Sequence, residues 1–170
     1  MIVVSDSTPL ITLMKAGVLH ILKDLFGEVI IPESVYEEVT GNDSFQDEAV
    51  LIKRSDYIKV VTVQNQEYVK ILQRATGLDL GESEAIIYAD EAKADLLLMD
   101  ESAGRKVAMN MKIPIAGSVG ILVRAFKAGI LTTEEAETAF ERIRNAGRYI
   151  SDKLFLDALQ IIHEEDPKKK

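Results

Sequence analysis

At four places along the chain an acidic side chain stands at the end of a short apolar run or at a helix start, and a cation site can be built from that arrangement. Ile2-Val3-Val4-Ser5 runs into Asp6, and Leu96-Leu97-Leu98-Met99 runs into Asp100. Val29-Ile30-Ile31 runs into Pro32-Glu33, with Glu38 about a helical turn further on. Glu82 and Glu84 open the helix before the last of these runs. Carboxylates without a clear lysine or arginine partner suit Mg2+ or Mn2+ better than they suit ion pairs, because hard divalent cations take oxygen ligands. In an open parallel sheet all strand carboxyl ends lie on one edge, where ligands bind. Acids far apart in sequence can meet there.

Each acid also has a structural reading. Asp6 lies in Ser5-Asp6-Ser7-Thr8-Pro9, where Ser, Asp and Thr all cap helices and Pro9 suits a first turn. If a helix starts at Pro32, positions 35, 38 and 39 share a face, so Glu38 lies on or beside the buried side; a surface position is the alternative. Glu82 and Glu84 suit the positive end of a helix dipole, yet nothing basic lies nearby in sequence. Asp100 ends a strand apolar at every position, as expected for a strand covered on both faces. Its structural role is the cap of a helix beginning at Glu101, and Arg105 either pairs with it or faces a phosphate. Gly117-Ser118 follows the last strand; Ser118 caps a helix or, with Ser7 and Arg105, holds a substrate phosphate.

The elements that must position these residues alternate. Strands are expected at 2–5, 28–31, 58–63, 96–99 and 113–115. Helices are expected at 9–16, 18–25, 33–39, 45–54, 65–75, 81–92, 101–111 and 118–128. Gly41-Asn42-Asp43 reads as a turn. From position 132 onward the pattern is helical only, broken at Gly147 and resuming at Ser151-Asp152, with an apolar stripe of Leu154, Phe155, Leu159 and Ile162. The fold class is α/β: one doubly wound parallel sheet flanked by helices, over 1–128, with a C-terminal helical extension over 129–170 that packs on it or closes a dimer.

Composition narrows the chemistry. The 170 residues include no cysteine, which excludes disulfides, zinc–thiolate sites and thiol catalysis and fits a reducing, cytoplasmic setting. No apolar run approaches the length of a membrane span, and the short apolar start is interrupted by Asp6, so neither a membrane anchor nor a signal peptide is expected. A net charge of −8 argues against a broad electrostatic grip on nucleic acid, though not against a basic rim around an acidic site. Lys168-Lys169-Lys170 reads as a solvated tail, and His20 and His163 as packing or surface residues.

Four motifs in order resemble the PIN (PilT N-terminus) domain family, and in detail its VapC-like ribonuclease members: Val-Ser-Asp-Ser-Thr-Pro-Leu-Ile, Ile-Pro-Glu-Ser-Val-Tyr-Glu-Glu-Val, Leu-Gly-Glu-Ser-Glu-Ala-Ile and Leu-Leu-Leu-Met-Asp-Glu. The resemblance covers about residues 1–128, and Ala146-Gly147-Arg148-Tyr149-Ile150-Ser151-Asp152 is similar to the C-terminal part of one PIN subfamily. It implies a sheet of order 3-2-1-4-5 and an Mg2+- or Mn2+-dependent endoribonuclease. Asp6, Glu38 and Asp100 match the family's first, second and last acids. The third is Glu82 by spacing or Glu84 by the following Ala85 pattern, where the family usually has Asp. On this reading Asp6 and Asp100 ligate the metal directly, Glu38 and Glu82 ligate it or act through water, and Glu84 is in reserve. The resemblance further implies an RNA substrate, a homodimer and, for toxin-like members, a small inhibitory antitoxin. Two rivals stand beside it: a catalytically silent PIN fold that binds nucleic acid or regulates, and a phosphoacceptor receiver-like domain. The second would need an acidic pair after the first strand and a lysine after the last, where this chain has a single Asp6 and Gly117-Ser118.

Overall fold

The computed structural model describes residues 1–41, 46–147 and 150–164. The turn expected at Asn42-Asp43, the residues Arg148 and Tyr149, and the Lys168-Lys169-Lys170 tail lie outside them. Five strands form one parallel sheet: β1 (Val3–Ser5), β2 (Val29–Pro32), β3 (Ile58–Val61), β4 (Leu96–Leu98) and β5 (Ile115–Ala116), in the order β3-β2-β1-β4-β5. Parallel neighbours need long crossovers. Helices α1 (Ser7–Lys15), α2 (Ile21–Phe26), α3 (Glu33–Gly41), α4 (Gln46–Arg54), α5 (Gln66–Thr76), α6 (Leu80–Glu91) and α7 (Ser102–Asn110) supply them, and α8 (Ser118–Lys127), α9 (Thr133–Asn145) and α10 (Asp152–Glu164) follow the last strand.

The central strands show why every residue in them is apolar or small. Side chains alternate across a sheet, and here both faces are covered. Val3, Val29, Ile31 and Leu98 pack into the larger core layer, with α1, α2, α8, α9 and α10. Val4, Leu97 and Met99 pack into the other layer, against Ala85, Ile86 and Ala89 of α6 and Ala108 of α7. The outer strand β3 is buried only at Ile58, with Lys59 and Val60 exposed, as an edge tolerates.

The helices after β5 join the larger layer. Phe140, Ile143, Phe155 and Ile162 are buried with Ile121 and Leu122 of α8. The Phe140 and Phe155 rings meet edge to face, 6.0 Å between centroids, and His163 approaches Glu137 at 3.1 Å. Arg142 reaches across from α9 to donate to the Ala16 carbonyl at 3.3 Å. Gly17 makes that approach possible, since its φ is +75° and a Cβ there would collide with the Arg142 guanidinium. The stripe expected on α10 is only partly inward: Phe155 and Ile162 are buried, whereas Leu154 is 47% exposed. It lies one step round the helix from Phe155 and faces the mouth of a cavity beside Asp100.

Phe140 lies on α9, which packs against α1, α8 and α10. Phe140→Ala is expected to lower unfolding free energy by about 3–5 kcal/mol, the usual cost of an aromatic cavity, read as a reduced urea midpoint in a single transition. A loss below about 1 kcal/mol would mean that α9 contributes little to the shared core.

Candidate active site

Strand register sets the first contact. Ser5 pairs with Leu98 across the β1–β4 ladder, and the Asp6 N–H donates to the Leu98 carbonyl at 3.0 Å. The Asp6 side chain is therefore held at the carboxyl edge of the sheet, only 2% exposed. It stands at the N-cap position of α1 but makes no side-chain cap bond. Its Oδ1 is buried with no hydrogen-bond partner among the described residues. Burial is the main reason its pKa is pushed from 3.8 up to about 7; the Ser7 backbone N–H opposes this, and the carboxylates of Asp79, Glu38 and Glu82 add to it. Ser7 itself is buried in the first turn of α1.

The tip of α6 supplies the next two acids. Asp79 accepts from the Glu82 N–H at 2.8 Å, and Glu82 Oε2 accepts from the Asp79 N–H at 3.1 Å, a reciprocal capping box. Glu82 is fixed by that box and nearly buried. Its pKa is raised first by burial, against the bond from the Asp79 N–H, and further by the charges of Asp79, Glu101 and Glu38. Glu38 reaches the same tip from α3. The residue is exposed, and its Oε2 lies 3.3 Å from the point a Cβ on Gly81 would occupy. A side chain at position 81 would press on Glu38 and Val35, so glycine there lets α3 and α6 approach.

Glu84 takes another direction. Two residues on from Glu82, it is turned by about 200° around the helix. It accepts from Ser34 Oγ at 2.6 Å and from Gln66 Nε2 at 2.7 Å, and so ties α6 to α3 and α5. Of the two glutamates left open by the sequence, Glu82 is the one in the field of Asp6.

Asp100 follows β4 but turns toward α8. Its Oδ1 accepts from the Ser118 N–H at 2.7 Å and its Oδ2 from Ser118 Oγ at 2.6 Å, with Thr12 Oγ1 at 3.5 Å. It therefore caps α8, not the helix directly after it, whose N-cap position is Glu101 with no side-chain bond. Arg105 donates through Nη1 to the Met99 carbonyl at 2.8 Å and forms no ion pair with Asp100 among the described residues. A Cβ on Gly117 would fall 2.9 Å from Asp100 Oδ1 and 3.2 Å from Arg105 Nη1, so glycine leaves room for both.

The acids thus form two groups: Asp6, Glu38, Asp79 and Glu82 around the α6 tip, and Asp100 with Ser118, Thr12 and Arg105 beside α8. Among the described residues, no three acids or histidines are placed to hold one metal ion together. The donor chemistry fits a hard divalent cation even so. Asp6 Oδ1 lacks a partner, and neither Asp6 nor Glu82 has a basic neighbour among the described residues. Asp79 was not singled out by the sequence, although Asp79-Leu80-Gly81-Glu82 has the spacing of a capping box. Thr12 gave no such signal, because only the fold carries it to Asp100.

The raised pKa of Asp6 gives a pH dependence of stability with a definite sign. The folded state binds the proton more tightly than the unfolded chain, so this contribution is fully present below pH 3.8 and is lost as pH rises to about 7. At pH 8 without added metal, Asp6→Asn is expected to be more stable than the wild type by up to about 4 kcal/mol, with a smaller difference near pH 4. Urea unfolding at both pH values measures it; equal stability at pH 8 would show that the buried carboxyl is not under strain.

The family comparison agrees with the sheet. A family model described as DUF3368: PIN domain matches residues 2–164. No curated protein and no solved structure matches the chain. The matched span runs from the residue before β1 to the last residue of α10, taking in every strand and helix described above, so the chain belongs to the PIN-domain family and its fold is of the nuclease type.

Proposed function

We propose that this protein is a metal-dependent endoribonuclease that hydrolyses RNA phosphodiester bonds at the carboxyl edge of the sheet. The observation that supports this most is Asp6: a carboxylate buried among three others, with one oxygen lacking a partner. Such a group is costly to a fold that does not use it. Asp6 and Glu82 would hold the cation, with Glu38 reaching in from α3 and Asp100 from β4; Asp79 fixes Glu82. Asp100 is held toward Ser118 and Thr12, and ligation calls for its side chain to swing away from them. Mg2+ or Mn2+ bound there supplies charge neutralisation at the phosphate and lowers the pKa of coordinated water. Arg105 and the Ser118 hydroxyl stand where a substrate phosphate can be oriented, since each keeps a polar group beside Asp100. Ser7 is buried in the first turn of α1, where its backbone N–H would steady the Asp6 carboxylate.

Within the same reading, the VapC-like order of the four motifs supports a toxin of a toxin–antitoxin pair, restrained by a small antitoxin and acting as a homodimer in the cytoplasm. Among the described residues no helix is long and apolar enough to cross a membrane. A second reading, a silent PIN fold that binds nucleic acid or regulates, draws on Asp100: its carboxylate is already engaged by Ser118.

Cleavage of single-stranded RNA with and without Mn2+ decides between them. The wild type is expected to cut only with the metal, and Asp6→Asn and Asp100→Asn to lose roughly 10²-fold or more in rate while remaining folded. Mn2+ is also expected to raise the melting temperature of the wild type and not of Asp6→Asn. Cleavage equal in all three proteins would reject the assignment. No cleavage together with no Mn2+-dependent melting shift would leave the silent module.

A further inference from the structure

Asp100 and Glu101 lie on the wall of a cavity of about 740 Å³ between α7, the start of α8, α9 and α10. Its lining is mixed. Val119 and Leu154 offer apolar faces, and Ser102 and Ser151 offer hydroxyls, whereas the Thr12 hydroxyl already donates to the Thr8 carbonyl at 2.8 Å. Arg105 is its basic group; apart from the bond to the Met99 carbonyl, its guanidinium has no partner among the described residues. The volume falls within the roughly 300–1,000 Å³ range of small-molecule sites, larger than one aliphatic side chain needs.

We propose that this cavity receives one unpaired nucleoside of an RNA strand, next to the bond to be cut. The proposal rests on the nuclease reading and deepens it to a substrate class. Apolar faces suit the flat surface of a base, hydroxyls suit its hydrogen-bonding edge, and the shared wall at Asp100 places the base beside the reacting phosphate. A base can enter only if it is out of its helical stack, so the substrate is single-stranded RNA or a loop. With Asp100 and Glu101 also on the wall, the pocket is a poor seat for a free phosphate; the neutral base and ribose suit it better, with only the phosphate attached to them meeting Arg105 and Ser118.

The pocket can be filled without touching the acids. Gly120 lines it, and a Cβ there meets nothing within 4 Å. Gly120→Phe should occupy the space, and replacing a helical glycine favours the helix. Leu154→Trp does the same from α10 should Gly120→Phe not fold. The test is a metal-free NMR titration with adenosine, guanosine, cytidine and uridine, and with N-acetyl-leucinamide as a protein-like probe. At least one nucleoside is expected to shift the amides of Val119, Gly120 and Leu154, saturating in roughly the millimolar range, with about tenfold weaker binding in the filled variant. No saturable shift with any nucleoside, shifts that survive filling, or shifts with N-acetyl-leucinamide alone would overturn it. Cleavage with Mn2+ is assayed separately. Nucleoside binding without cleavage keeps the pocket and removes the nuclease; cleavage without nucleoside binding does the reverse.

Discussion

The parallel ladder between β1 and β4 is the constraint on which the rest of the site depends. It fixes Ser5 level with Leu98 and draws the Asp6 N–H onto the Leu98 carbonyl. Asp6 cannot then move into solvent, because its backbone is part of the sheet edge. Its carboxyl is left in a medium that disfavours the charge, among neighbours of the same sign. A stable fold ordinarily avoids that combination. Its retention at the edge where parallel sheets bind ligands supports the proposed role of Asp6, since sites that need unusual ionisation are built from such conflicts.

The rest of the cluster around Asp6 follows from helix geometry. Two residues along α6 turn a side chain to the opposite flank, so Glu82 faces Asp6 while Glu84 is drawn to Ser34 and Gln66. Glu84 thereby holds α3 through Ser34, one turn before Glu38 on the same helix. The glutamate that faces away still helps to place one that faces in. On the far side Asp100 ties the end of β4 to the first residue of α8.

Much of the architecture could be read from the chain because covered central strands admit only apolar or small residues, and Leu96-Leu97-Leu98-Met99 could be little else. The strand order came from resemblance, since nothing within β3 or β5 says which neighbour it joins. Asp6 and Asp100 were visible as acids at strand ends. The choice between Glu82 and Glu84 was not, because it turns on which flank of α6 meets β1, a tertiary fact. The direction taken by Asp100 was likewise hidden. Capping the next helix is the local option, and the cap it makes in the structure joins residues 18 apart in sequence. Leu154 shows the same limit: an apolar stripe marks a helix but not how wide its partner surface is.

The reciprocal bonds between Asp79 and Glu82 make the first turn of α6 and the acidic cluster share atoms. Glu82 Oε2 already accepts from a backbone N–H. Any ligand that draws this oxygen away frays the helix start, and any ligand satisfied by the other oxygen leaves it wound. Occupancy of the cluster and the order of α6 are therefore thermodynamically linked, and exchange of the Asp79 amide proton with solvent becomes a local gauge of what the acids hold.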